Sequence, residues 1–118
     1  GLIDLGILQG SIAENIAQRN YRPYYSHGTG HFLGLDVHDL GIYQDNKVPT
    51  PMQTGMVVTV EPGLYFAQND TTVPAEFRGI GIRIEDDIVK TESRIINLTQ
   101  ALPKKIAEIE QWMASMKK

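Results

Sequence analysis

Cysteine is absent from the 118 residues. That excludes a disulfide framework and any thiolate metal site, and it fits a reducing compartment with the cytoplasm as the default. No apolar run approaches the roughly 20 residues that span a bilayer, and the N-terminus lacks the basic start and apolar stretch of a secretory signal. The chain therefore reads as soluble, with no membrane partner. Eleven Lys and Arg oppose 14 Asp and Glu for a formal net charge of -3, and the two signs are mixed along the chain. No basic tract is offered to nucleic acid. The length allows one domain with one modest core and excludes a second. Histidine is scarce as well: the three present, His27, His31 and His38, all fall in the stretch HGTGHFLGLDVHD.

What is present reads as α+β with mainly antiparallel strands. In residues 2–18, Ile12, Ala13, Ile16 and Ala17 recur at helical spacing, with Ser11 as N-cap and Glu14 as its capping-box partner. Residues 22–51 alternate glycine, proline and aromatics and predict loop, with short extended pieces around Phe32 to Val37. MVVTV at 56–60 is β-branched and bounded by Gly55 and Pro62-Gly63, which predicts a buried strand. IGIRIEDDIVK at 80–90 predicts a strand with Ile80, Ile82 and Ile84 on one face, and a second strand follows over 94–98. From Pro103 onward, Ile106, Ile109, Met113 and Met116 form one stripe of a closing amphipathic helix.

Gly28, Gly30 and Gly34 each cost a helix about 0.8 to 1 kcal/mol relative to alanine, so the histidine stretch is expected to be extended. Alternation then places His27 and His31 on one face and His38 on the other unless a bend intervenes. A lone histidine is more often structural than functional, but three among glycines shift that balance. Glu61 ends the apolar strand, and Glu85 lies on the polar face of an isoleucine-lined one. A buried carboxylate there needs a cation or donor to compensate it. Histidine and two glutamates on separate strands suit manganese, iron, cobalt or zinc. Composition leaves the structural alternative open, with Glu61 paired to an arginine such as Arg83 and Glu85-Asp86-Asp87 a solvated turn.

Three segments together carry a resemblance: HGTGHFLGLDVHD, then GMVVTVEPGLY at 55–65, then RGIGIRIEDD at 78–87. In order and spacing they resemble the C-terminal motifs of the pita-bread metallopeptidases, nearest to the aminopeptidase P branch, over essentially the whole chain. The resemblance implies the C-terminal half of a pita-bread fold: a curved, mainly antiparallel sheet with an N-terminal helix and a C-terminal amphipathic one. It implies a metal-dependent aminopeptidase that hydrolyses the N-terminal Xaa-Pro bond through a metal-activated hydroxide, with two divalent ions, usually manganese. A prolidase-type dipeptidase and a non-catalytic protein-interaction module of the same fold are the alternatives.

Position by position, the resemblance implies that His31, Glu61 and Glu85 are metal ligands, Glu85 bridging two ions and Glu61 also accepting a proton. It implies that His27, His38 and Arg83 bind substrate, with His38 donating to the scissile peptide or its oxyanion. Two aspartate ligands of the family have no counterpart here, since Asp4, Asp36, Asp39, Asp45 and Asp70 stand in other contexts. The expectation is that residues 1–118 are a C-terminal portion of a catalytic domain whose upstream half is missing. Such a fragment is expected to be inactive alone, to bind at most one ion weakly, and to bury its exposed apolar surface in a homo-oligomer.

Overall fold

The computed structural model describes residues 1–117. In chain order the elements are α1 (Ile12–Ala17), β1 (Gln44–Asp45), β2 (Val48–Pro49), β3 (Val57–Val60), β4 (Gly63–Tyr65), a 3-10 turn at Ala75–Phe77, β5 (Gly81–Arg83), β6 (Asp86–Lys90), β7 (Ile95–Asn97) and α2 (Ile106–Met116). The α+β class holds, and every strand pairing is antiparallel. The pairings are distributed over three small sheets. Length alone suggested one core, but the backbone separates into two compact units, each built from two stretches of chain.

The first unit comprises Gly1–Gly28 and Pro62–Arg83. Its helix α1 starts as the sequence indicates. Ser11 Oγ accepts from the Glu14 amide, and the Glu14 carboxylate accepts from the Ser11 amide at 2.9 Å. Those bonds from Ser11, the backbone one foremost, hold the Glu14 carboxyl below its ordinary value. The inward residue of α1 is polar: Asn15 is buried and donates to the Gln9 and Ser11 carbonyls, whereas Ile12 and Ile16 are exposed. In β4 and β5, Leu64 faces Ile82 and Tyr65 faces Gly81. Ile7, Tyr24, Phe66 and Val73 form the core, with the Tyr24 and Phe66 rings 5.6 Å apart.

The second unit comprises Thr29–Glu61 and the chain from Ile84 onward. Its sheet runs β3-β6-β7, with Val57 opposite Val89 and Val60 opposite Asp86. The single strand expected over 80–90 is thus two strands. Gly81–Arg83 pairs with β4 and Asp86–Lys90 pairs with β3, leaving Ile84 and Glu85 between them. The strict alternation read from the sequence stops at Ile84, where the chain changes sheets. Asp86 and Asp87 therefore open a strand, and a solvated turn does not describe them. Asp86 accepts from Lys104 and Thr99, and bonds from Lys104, Thr99 and Asn97 hold its carboxyl down at about 2.

Within the segment read as loop, β1 and β2 form a small hairpin. Both central residues of its turn, Asn46 and Lys47, have positive φ, as the tight hairpin turn with matching twist demands. Helix α2 begins after Lys105, so Pro103 lies two residues ahead of the N-cap, near the first turn. Its apolar stripe of Ile106, Ile109, Met113 and Met116 is exposed, as is Trp112.

Candidate metal centre

The edge of β3 not used by β6 is occupied by residues 29–33, which run antiparallel to it. Leu33 N–H donates to the Val57 carbonyl, Thr59 N–H to that of His31 at 2.9 Å, and Glu61 N–H to that of Thr29 at 2.6 Å. Phe32 bridges to Val58 between them. This side pairing brings His31 to the end of β3, and Glu61 is the next residue beyond that strand. Val60 and Asp86 are the last registered pair of β3 and β6. One step further along the same register sets Glu61 opposite Glu85. His31, Glu61 and Glu85 each bring a ligand atom to within 4.8 Å of the others, the one such group among the described residues. Geometry thus gathers the three residues that the sequence nominated as ligands, all in the second unit.

The donor chemistry fits a cation. His31 Nδ1 lies 2.9 Å from the Phe32 carbonyl oxygen, which only accepts, so Nδ1 carries the proton and Nε2 keeps its lone pair in the neutral ring. Nε2 in turn lies 3.2 Å from Glu61 Oε1. Two acceptors at that separation repel unless a proton or a metal ion lies between them. Glu61 is buried, and its Oε1 also accepts from the Thr59 hydroxyl. A neutral imidazole, a buried carboxylate and the exposed carboxylate of Glu85 match hard or borderline divalent ions. An apolar recess of about 230 Å³, lined in part by His31, Phe32, Tyr43, Met56 and Val58, adjoins this group.

His38 reaches His31 by a bend over residues 34–38, the exception that the extended reading allowed for. The Asp39 carboxylate accepts from the amides of Leu35 and Leu40, and Asp39 N–H donates to the Phe32 carbonyl. Gly34 permits this, since a Cβ there would fall 1.8 Å from Asp39 Oδ2. The His31 and His38 rings end 4.4 Å apart at 65°. Each Asp39 oxygen thus accepts one backbone amide, and Asp39 is not in the converging group of His31, Glu61 and Glu85.

His27 and Arg83 belong to the first unit. His27 Nδ1 donates to the Gly28 carbonyl at 2.7 Å, so its Nε2 accepts from the Tyr65 hydroxyl at 2.9 Å when the ring is neutral. Arg83 ends β5 opposite Gly63. Two residues that the sequence reading passed over take part in these arrangements, Tyr65 beside His27 and Thr59 beside His31 and Glu61. Their signal was positional, one two residues before Glu61 and the other four after it.

Residues 6–92 match metallopeptidase family M24. The chain belongs to that family. The Xaa-Pro aminopeptidase of Escherichia coli strain K12 is 53% identical to it over 118 residues, which are all of this chain and 26% of that protein. The solved aminopeptidase P of Pseudomonas aeruginosa superposes with a TM-score of 0.91 at 47% identity, over 97% of this chain and 26% of its own. A zinc-substituted aminopeptidase P of Escherichia coli in complex with product gives 0.89 at 52% identity, over 99% and 26%. The expected family and fold are therefore borne out, and these matches do not favour the dipeptidase or non-catalytic alternatives. The chain spans about a quarter of the length of the relatives it matches. Among the described residues no helix is long and apolar enough to cross a membrane.

Proposed function

We propose that this chain supplies part of the catalytic centre of a metal-dependent aminopeptidase that cleaves the bond between an N-terminal residue and proline. The observation that carries the proposal is the convergence of His31, Glu61 and Glu85 within 4.8 Å in a chain 53% identical to an Xaa-Pro aminopeptidase. Divalent metal, manganese by the family resemblance, supplies a water of lowered pKa and a polarised carbonyl when bound.

The remaining roles fall to side chains. His31 offers Nε2 because its Nδ1 proton is committed to the Phe32 carbonyl. Glu61 would serve as ligand and proton acceptor, and Glu85 as the second carboxylate to hold the metal. His38 donates a hydrogen bond to the scissile carbonyl oxygen as charge develops on it. His27 and Arg83 hold the substrate. A prolyl amide has no N–H, so recognition relies on donors to its carbonyl and acceptors for the free amine.

Two divalent ions carry four positive charges, of which Glu61 and Glu85 offset two. The proposal therefore places the balance, including two aspartates, in a further part of a longer protein. This chain alone is then expected to bind at most one ion, weakly, and to lack meaningful peptidase activity. Calorimetric titration with manganese, paired with an assay on an Xaa-Pro peptide, tests this. Weak single-site binding without turnover is the expected result. Robust turnover by the isolated chain refutes the division of the centre, and binding of two ions refutes the incompleteness of the ligand set.

A further inference from the structure

One hydroxyl touches two of the three converging residues. Thr59 is 3% exposed, and its Oγ1 accepts the backbone N–H of His31 at 3.0 Å and donates to Glu61 Oε1 at 3.2 Å. In the antiparallel pairing of 29–33 with β3, Thr59 N–H donates to the His31 carbonyl as a ladder requires. The return bond goes to the Thr59 side chain, and the Thr59 carbonyl presses on Gly30, where a Cβ would lie only 1.9 Å from it. At this pair the hydroxyl of Thr59 takes the His31 amide in place of the Thr59 carbonyl, and so faces both His31 and Glu61.

We propose that Thr59 is a positioning residue that couples the backbone of His31 to the carboxylate of Glu61, so that the two are set as one unit before any ion arrives. The inference rests on the metal-site reading above. A hydroxyl has one proton to give and lone pairs to accept with, and both functions are used here. Its proton goes to Oε1, the same oxygen that faces His31 Nε2 at 3.2 Å. Fixing that oxygen fixes the Glu61 side of the gap, and holding the His31 amide fixes the other. Valine at 59 keeps the shape and β-branching but removes both bonds, one from the part-buried His31 amide and one from the buried Glu61 carboxylate. Serine keeps both.

The test compares the unsubstituted chain with Thr59→Val and Thr59→Ser by calorimetric titration with manganese alone and, in parallel, by NMR without metal. Removal of an outer hydrogen-bond partner of a metal ligand weakens binding by about 10- to 100-fold. T59V is expected to show that loss and T59S to restore affinity to within about threefold of the original, on the same scale. Without metal, the Thr59 hydroxyl proton is expected to exchange slowly enough to be observed, and the His31 amide to be protected. Binding by the original chain with T59V unchanged overturns the role of Thr59 and leaves the metal site standing. No binding by the original chain overturns both. If T59V does not fold, the metal-free spectrum of the unsubstituted chain decides: a fast-exchanging hydroxyl proton overturns the coupling, and a protected one supports it.

Discussion

Gly30→Ala is the substitution that most directly separates the strand pairing from the residues it carries. An added Cβ falls 1.9 Å from the Thr59 carbonyl oxygen and 3.0 Å from its carbon. Carbon and oxygen in such contacts ordinarily stay about 3.3 Å apart, so the 29–33 segment must retreat by about 1.4 Å. The obstacle is backbone on both sides, which offers no rotamer to relieve it. The bonds stretched are His31 N–H to Thr59 Oγ1, Thr59 N–H to the His31 carbonyl and Glu61 N–H to the Thr29 carbonyl. At about 1 kcal/mol net for each, the loss is about 3 kcal/mol. Small domains lose about 1–3 kcal/mol per molar urea, so the unfolding midpoint should drop by about 1–3 M. Circular dichroism in urea measures this, with Leu35→Ala as control, since Leu35 is fully exposed and surface changes stay within about 0.5 kcal/mol. Manganese affinity should fall with the midpoint. A G30A chain with an unchanged midpoint would refute the close approach, and one that is destabilised yet binds manganese as before would refute the dependence of His31 and Glu61 on this pairing.

Glu61→Gln removes the charge that faces His31 Nε2 and should reduce manganese binding by at least tenfold in calorimetry, the scale of losing a charge-assisted bond, with the far-ultraviolet spectrum unchanged. Ser11→Ala removes the α1 cap and should cost about 1 kcal/mol in urea unfolding. The Glu14 carboxyl is held below its ordinary 4.5 by Ser11. Its contribution is therefore fully present above that pH and is lost as pH falls through the depressed value, so the difference between S11A and the original chain should narrow on acidification. The exposed stripe of α2 predicts self-association with a second copy. Sedimentation velocity should show a dimer or larger species that Ile109→Glu with Met113→Glu disperses, and a monomer across the micromolar range would refute it.

The most legible parts of the sequence were those where local rules act alone. Ser11 and Glu14 announce α1 because the capping box is a four-residue device. MVVTV announces β3 because β-branched residues between Gly55 and Pro62 have few other uses. His31, Glu61 and Glu85 were nominated by motif, and the folded chain brings them together. Part of what escaped depends on partners distant in sequence, and part on local turns without a plain signal. The break between β5 and β6 at Ile84 is a change of pairing partner, from β4 to β3, which alternation does not register. The position of His38 depends on the Asp39 carboxylate folding the loop over Gly34, a bend that a period-two pattern allows for but does not locate. The role of Thr59 is invisible until 29–33 lies against β3, because threonine at a strand end is ordinary. The β1-β2 hairpin was hidden because its turn uses Asn46 and Lys47, with no glycine to mark it.

Register carries a consequence for folding. Glu61 and Glu85 meet because β3 and β6 pair Val60 with Asp86, and a slip of one residue would turn one carboxylate to the opposite face and move it by about 3.3 Å. Chains paired out of register would therefore hold no ion, and an ion captured by the correctly paired chain would favour that alignment by mass action. Metal in the growth medium would then shift the population of correctly paired chains as well as their chemistry.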